Sequence, residues 1–390
     1  MANSQQTSWL QSFFLDVWYG KRWLTKRGWV RLIPWLLLPL SWLYQLLAYA
    51  NQRWQKKQST RIPVPVVVVG NISVGGTGKT PIIIALANAL TAKHIRVGIV
   101  SRGYGSHAPH YPYLVNADDQ AVYSGDEPLL IATSTQCPVM IGQNRVAAAQ
   151  QLLARYPEIQ LILSDDGLQH HRLQRDVEIV VVDSERGLGN HFCLPAGPLR
   201  EPAKRLSTVD WILLNTPAAS ACETQREQSE VDRRLPIKVS LQPQAWRHIG
   251  SQQIHPLTPY PWLKNKVGGE GRDNNSHIGS DKTLHAVAGI GHPQRFFNTL
   301  AQLDISDQSS NHACSQHSFD DHHQFTAQDF SAWTNDTVLM TEKDGVKCQA
   351  LMGEAAMPKD CWALIVDIDL PDALIEHVES LVSLPNDFQH

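Results

Sequence analysis

Residues 64 to 90 constrain this chain more than any other stretch. A Val-rich run, Val64 to Val69, leads into Asn71-Ile72-Ser73-Val74-Gly75-Gly76-Thr77-Gly78-Lys79-Thr80-Pro81, and an Ala- and Leu-rich run, Ile82 to Leu90, leads out. That order reads as strand, glycine loop, helix. Gly75, Gly76 and Gly78 let the backbone turn tightly and aim amide N–H groups inward, and those donors together with a helix N-terminus suit phosphate oxygens. Gly78-Lys79-Thr80 matches the second half of a nucleoside-triphosphate P-loop; the usual first glycine falls at Ser73. Ser73, Val74, Gly75, Gly76, Thr77, Gly78, Lys79 and Thr80 are therefore the candidate cradle for ATP. Lys79 would reach the β- and γ-phosphates, and the Thr80 hydroxyl would hold Mg²⁺.

Downstream, short apolar runs alternate with helical ones. Strands are expected over Arg96–Val100, Pro138–Ile141, Leu161–Ser164, Glu178–Val182 and Trp211–Leu214. Helices are expected after Gly125-Asp126-Glu127-Pro128 and over Asn144–Tyr156. This alternation predicts an α/β fold, a doubly wound and mostly parallel sheet whose ligands gather at the carboxyl ends of the strands. From about Pro236 the texture changes. Strands near 283–288, 338–340 and 362–366 predict a second, smaller α/β domain over 236–390, with a polar, glycine-rich surface insertion at 264–282. The P-loop domain is expected over 61–235 and a membrane-associated segment over 1–60.

The N-terminal segment carries the most apolar stretch, Leu32 to Ala50, with Trp35, Trp42, Tyr44 and Tyr49 of the type found at membrane interfaces. Lys21, Arg22, Lys26, Arg27 and Arg31 precede it; Arg53, Lys56, Lys57 and Arg61 follow it. Basic flanks suit an anionic inner leaflet. A short spanning helix kinked at Pro34 and Pro39, a helix lying in the interface, and a buried core helix all remain open. A cleaved signal peptide fits poorly, since export would separate the P-loop from ATP. Charge is near balance, with 34 Lys and Arg against 37 Asp and Glu, so no nucleic-acid field is implied. Six cysteines without a C-x-x-C pair fit a reducing compartment. No obligate protein partner is evident.

Asp165-Asp166 follows an apolar strand, where P-loop proteins keep the Mg²⁺ carboxylate, although an N-cap pair would look the same. Asp126-Glu127 also suits a helix first turn. Arg102, Arg145 and Arg200 each follow a strand or open a helix; guanidinium forks there could clamp phosphate or form surface ion pairs. The stretch His312–His323 invites a metal reading, but its spacing is not diagnostic of zinc.

Taken in order, Gly70-Asn71 with the glycine loop, Ser101-Arg102-Gly103-Tyr104, Gly125-Asp126-Glu127-Pro128 and Asp165-Asp166-Gly167-Leu168-Gln169-His170 resemble the tetraacyldisaccharide 4′-kinase family. Gly197-Pro198-Leu199-Arg200-Glu201, Phe319-Asp320-Asp321-His322-His323 and Thr341-Glu342-Lys343-Asp344 complete the match. The resemblance implies a Mg²⁺-dependent enzyme on the cytoplasmic face of the Gram-negative inner membrane. It would move the ATP γ-phosphate to the 4′-hydroxyl of a lipid A disaccharide 1-phosphate, giving lipid IVA. It implies an aspartate–histidine dyad, mapped to Asp126 and to His322, with His323 adjacent. Lys79 and Asp166 join them as catalytic candidates. Asn71, Arg102, Tyr104, Glu127, Arg145, Gln169 and Arg200 are the substrate candidates, and Thr80 and Asp165 the metal ligands. A sugar hydroxyl is a poor nucleophile, so a base near the γ-phosphate has a physical purpose. The rivals are a GTP switch, for which Thr341-Glu342-Lys343-Asp344 has the guanine letters in the wrong order, and a membrane ATPase with no lipid acceptor.

Overall fold

A computed structural model describes residues 13–14, 17–19, 32–217, 235–258, 260–262, 283–305 and 314–383. The expected insertion at 264–282 lies outside these residues. β1 (Val66–Gly70) is buried on both faces, as a central parallel strand must be. Its side chains alternate: Val67 and Val69 enter one core layer, Val66 and Val68 the other. Flanking it in parallel are β5 (Leu161–Asp165) and β6 (Val177–Asp183). β2 (Val97–Ser101) pairs with β5 and with β4 (Val139–Ile141), and β7 (Trp211–Thr216) pairs with β6, all parallel. A short antiparallel strand, β3 (Tyr113–Val115), closes that edge on β4.

The expected strands and helices thus appear, with shifted ends. β3 was not legible in the sequence, and neither was the strand that joins the two halves. That strand is β8 (Ile237–His248), which pairs parallel with β7 through Ile237–Ser240 and antiparallel with β13 (Asp360–Ile368) through Leu241–His248. β9 (Ile254–Pro256) pairs with its far end. The sheet continues through β12 (Thr337–Thr341) and β10 (Leu284–Ala288) to the edge strand β11 (Cys314–Ser318), so the whole is one 13-stranded sheet. The two halves meet where the chain after β10 comes against the loop after β1: a Cβ on Gly291 would lie 3.1 Å from Gly76 N.

The helices cover the faces. α1 (Ile33–Lys57) runs 25 residues, past Ala50 and without a break at Pro39. α2 (Lys79–Ala92) follows the glycine loop, α3 (Asp126–Ser134) opens on the Gly-Asp-Glu-Pro motif, and α4 (Arg145–Arg155) is capped by the Asn144 side chain on Ala147 N–H. α5 (Pro293–Gln302) and α6 (Glu342–Cys348) belong to the second half. α7 (Asp372–Ser383) returns to the first: Leu374 and Val378 are buried in the same layer as Leu86 and Leu90 of α2.

α1 is amphipathic in an inverted sense. Pro34 and Ser41 are buried against the protein, and Tyr44, Gln45, Gln52 and Gln55 are half-buried. Ser41 Oγ donates to Cys193 O at 2.8 Å, Tyr44 Oη to Arg200 O at 3.0 Å, and Gln55 Oε1 accepts from His171 N–H at 3.0 Å. Trp35, Leu36, Leu40, Trp42, Leu43, Leu46 and Leu47 face outward, Leu36 at 77% exposure. Such a contiguous apolar stripe marks an interaction surface rather than ordinary solvent-facing helix.

Candidate active site

The glycine loop is shaped by its neighbours. Gly78 has φ +83°, and a side chain there would collide with Asn215 Nδ2. That amide donates to Thr77 O at 3.0 Å and braces the loop from behind. Asn71 is buried; its Nδ2 donates to Ser73 O at 2.8 Å and its Oδ1 accepts from Lys79 Nζ at 3.2 Å. Val74 N–H donates to Pro198 O at 2.8 Å, which ties the loop to the Gly197–Glu201 motif.

Lys79 Nζ also lies 3.4 Å from Asp166 Oδ1, and Arg200 Nη1 lies 3.3 Å from Asp166 Oδ2. Burial would raise the Asp166 carboxyl, but those two cations outweigh it and hold it below its usual range. Asp166 sits at φ +46°, one of few non-glycine residues in the left-handed region, so the β5 end is held under strain. Asp165 behaves differently. Its Oδ2 accepts from Ser101 Oγ at 2.8 Å, while Oδ1 is buried without a partner. Burial pushes Asp165 up to about 7, with the Glu127 and Asp166 carboxylates adding to it against Lys79. A buried carboxylate atom with no donor, beside two other carboxylates, suits a hard divalent cation. The chemistry of Asp165 Oδ1 is thus compatible with the Mg²⁺ role expected of it.

Between the two halves, His322 Nδ1 lies 3.0 Å from Asp126 Oδ2 although the residues are 196 apart in sequence. His322 is also left-handed, at φ +62°. Burial would raise Asp126, but the His322 hydrogen bond and the Lys343 charge hold it down at about 2. The same hydrogen bond raises His322 above 6.5 against its own burial. The Tyr104 ring flanks His322 with centroids 5.3 Å apart. His323 turns away, its Nε2 lying 3.4 Å from Asp329 Oδ2. The adjacent histidines are thereby distinguished by geometry.

Lys343, in the Thr341-Glu342-Lys343-Asp344 motif, has a role that its sequence does not disclose. Its Nζ lies 2.9 Å from Glu127 Oε1, 3.6 Å from Asp321 Oδ1 and 3.7 Å from Asp126 Oδ2. The three carboxylates overcome burial and raise its pKa. Placement at a strand end, β12 into α6, was the available signal. Among the substrate candidates, Arg102 and Tyr104 are exposed, Tyr104 beside His322. Gln169 is bound internally, donating to Glu201 Oε1 at 2.7 Å and Asn71 O at 3.1 Å. Arg145 is buried and donates to Gly142 O at 3.1 Å; burial lowers it to about 10 against the pull of Asp165 and Asp166. No group of three metal-ligating side chains occurs among the described residues, and the His312–His323 stretch forms none there.

A phosphate loop, a carboxylate at the end of the neighbouring strand and an Asp–His pair spanning two α/β halves define a P-loop phosphotransferase. The comparisons make the class specific. A sequence model of tetraacyldisaccharide-1-P 4′-kinase matches residues 33–383, and the chain belongs to that family. A tetraacyldisaccharide 4′-kinase of Ectopseudomonas mendocina is 44% identical over 347 residues, covering 88% of this chain and 91% of the relative. That of Pasteurella multocida is 41% identical over 360 residues, covering 91% and 94%. The "apo" form of LpxK from Aquifex aeolicus in complex with ATP superposes with TM-score 0.66 at 25% identity, covering 90% of this chain and 99% of that one.

Proposed function

We propose that this chain transfers the γ-phosphate of ATP to the 4′-hydroxyl of a tetraacylated glucosamine disaccharide 1-phosphate, the lipid IVA-forming step of lipid A biosynthesis. Family membership supports the reaction class. The observation that carries the mechanism is the 3.0 Å contact of Asp126 with His322 between the two halves. It joins a residue of the P-loop half to one of the other half at the mouth of the phosphate site.

In this reading Asp126 accepts the hydroxyl proton, and the His322 Nδ1–H fixes the carboxylate's orientation. A carboxylate held at about 2 is a weak base. Phosphoryl transfer has a loose transition state in which most catalysis is positioning and charge stabilisation, so a fixed acceptor serves where a strong base is not needed. Lys79 and Arg200, both beside Asp166, would stabilise charge growing on the transferring group. Asp165 and Thr80 would hold Mg²⁺, which would supply charge neutralisation on the β- and γ-phosphates. Lys343 keeps the carboxylates of Asp126, Glu127 and Asp321 together at one mouth.

The outward stripe of α1 supports attachment to the inner-leaflet surface. A helix bound along its length to the protein, from Ser41 to Gln55, offers lipid a single apolar side, so we read it as interfacial rather than spanning. Tyr44 on α1 holds the Arg200 carbonyl, so the lipid surface would lie next to the phosphate site. That arrangement suits an acylated acceptor whose sugar must leave the bilayer only slightly. The test is transfer of labelled phosphate from ATP to a lipid A disaccharide 1-phosphate; ATP turnover that the lipid neither accelerates nor captures would remove this reading.

A further inference from the structure

The rim of the phosphate loop is where the N-terminal segment and both halves of the sheet meet. Tyr19 Oη donates to Val74 O at 3.1 Å, inside the loop. The Tyr19 ring lies beneath the Arg186 guanidinium, 5.5 Å from its centroid. Arg186 follows β6. Its Nη2 donates to Gly291 O, in the second half, at 2.6 Å. Its Nη1 stands 3.2 Å from where a Cβ on Gly75 would be. Gly291 in turn rests on the loop: a Cβ there would come within 3.1 Å of Gly76 N and of Asp321 Oδ2. Asp321 is the residue before His322 and lies 3.6 Å from Lys343. One run of contacts therefore leads from Tyr19 through Arg186 and Gly291 to the loop that carries His322.

We propose that Arg186 is a positioning residue for the phosphoryl transfer, a latch that holds the second half against the glycine loop, with Tyr19 as the brace that aims it. Three observations carry this. The guanidinium is fixed on two sides, by a ring and by a carbonyl, which a lysine cannot reproduce. Among the described residues no carboxylate stands in ion-pair range of it, whereas nearby Glu185 and Asp183 are taken by Arg295 at 3.1 and 3.2 Å. A half-buried cation with no counter-charge among the described residues, beside a phosphate loop, is better explained by the ligated, closed enzyme than by stability. Finally, the carbonyl it holds is that of Gly291, which lies against both the glycine loop and Asp321. Because Asp126 and His322 face each other only when the halves approach, a latch at Gly291 would govern whether the pair forms.

The inference rests on reading residues 73–80 as the ATP phosphate site. The test measures kcat, KM for ATP and melting temperature for Arg186→Ala, Arg186→Lys, Tyr19→Phe, Tyr19→Leu and the Arg186→Ala/Tyr19→Leu double variant, with Lys79→Ala alongside. Arg186→Ala should lower kcat/KM by about 10- to 100-fold, mostly in kcat, as expected for a misplacement remote from the chemistry. Arg186→Lys should not restore it. Tyr19→Phe, which keeps the ring, should lose only a few-fold, and Tyr19→Leu should approach Arg186→Ala. The double variant should be no worse than Arg186→Ala alone, because the two act as one unit. Wild-type kcat and KM in Arg186→Ala, or multiplying losses in the double variant, would overturn the latch. Should Arg186→Ala not fold, Tyr19→Phe and Tyr19→Leu still decide by their ratio, since a latch needs the ring more than the hydroxyl. Loss in Lys79→Ala with silent Arg186 variants rejects the latch alone; silence in Lys79→Ala rejects the phosphate-site reading beneath it.

Discussion

Replacing Asp126 by Asn separates chemistry from architecture. The amide keeps the shape of the side chain and an oxygen to accept from Glu127 N–H, which now lies 3.0 Å from Asp126 Oδ1; an NH₂ takes the place of Oδ2, so His322 Nδ1 must accept there instead of donating. It loses the negative charge. That charge is worth about 2 kcal/mol to the folded state, since the carboxyl is held at about 2 against an ordinary 3.8 and each pKa unit corresponds to ~1.36 kcal/mol. Lys343 keeps Glu127 at 2.9 Å and Asp321 at 3.6 Å, so no isolated buried cation is created. The melting temperature should fall by only a few degrees. Loss of a positioned proton acceptor costs on the order of 10²–10⁴ in kcat, or roughly 3–5 kcal/mol of barrier. KM should change little for either substrate. His322→Ala should cost less, ~10²-fold, and the double variant should be barely worse than Asp126→Asn, because the two act together. The assay is phosphate transfer to the lipid acceptor together with a thermal melt on the same preparations. If Asp126 only supports the first turn of α3, kcat stays at the wild-type value while the melt drops, and the dyad is refuted.

Lys79→Ala should remove transfer by ~10³-fold or more with the fold intact, and turnover near normal in the folded variant would dismiss the phosphate site. Lys343→Met leaves the Asp126, Glu127 and Asp321 carboxylates facing one another and should cost about 3 kcal/mol, read as a lowered melting temperature; an unchanged melt would contradict the network. Removing residues 1–57 should free the protein from inner-membrane vesicles, whereas high salt should not release the full chain, because apolar burial carries much of the affinity. The pH dependence has two signs. Asp126 is depressed, so its contribution is complete above pH 3.8 and drains as pH falls toward about 2. His322 is raised, so its contribution is complete below pH 6.5 and fades as pH climbs through its folded value. The gap in melting temperature between wild type and His322→Ala should therefore narrow on the alkaline side of neutrality; a gap that widens there would contradict the contact.

The sequence alone determined the P-loop and the parallel strands, because both are written in local chemistry. A glycine loop before Lys-Thr can serve few purposes, and strands buried on both faces must be continuous apolar runs. It also marked Asp126, Asp165 and Asp166, since each ends a strand or opens a helix and matches a family motif, and His322, which lies in a loop, by its family motif alone. What it left open was every pairing. Asp126 and His322 are 196 residues apart, and nothing local separates His322 from His323; the turn that swings one toward Asp126 and the other toward Asp329 exists only in the folded loop. β8 was missed because its two ends serve different neighbours, so neither end carries a full strand pattern. Lys343, Arg186 and Tyr19 acquired their places the same way. Isolated charged and aromatic residues have no periodicity, and only the closing of one half on the other gives them partners.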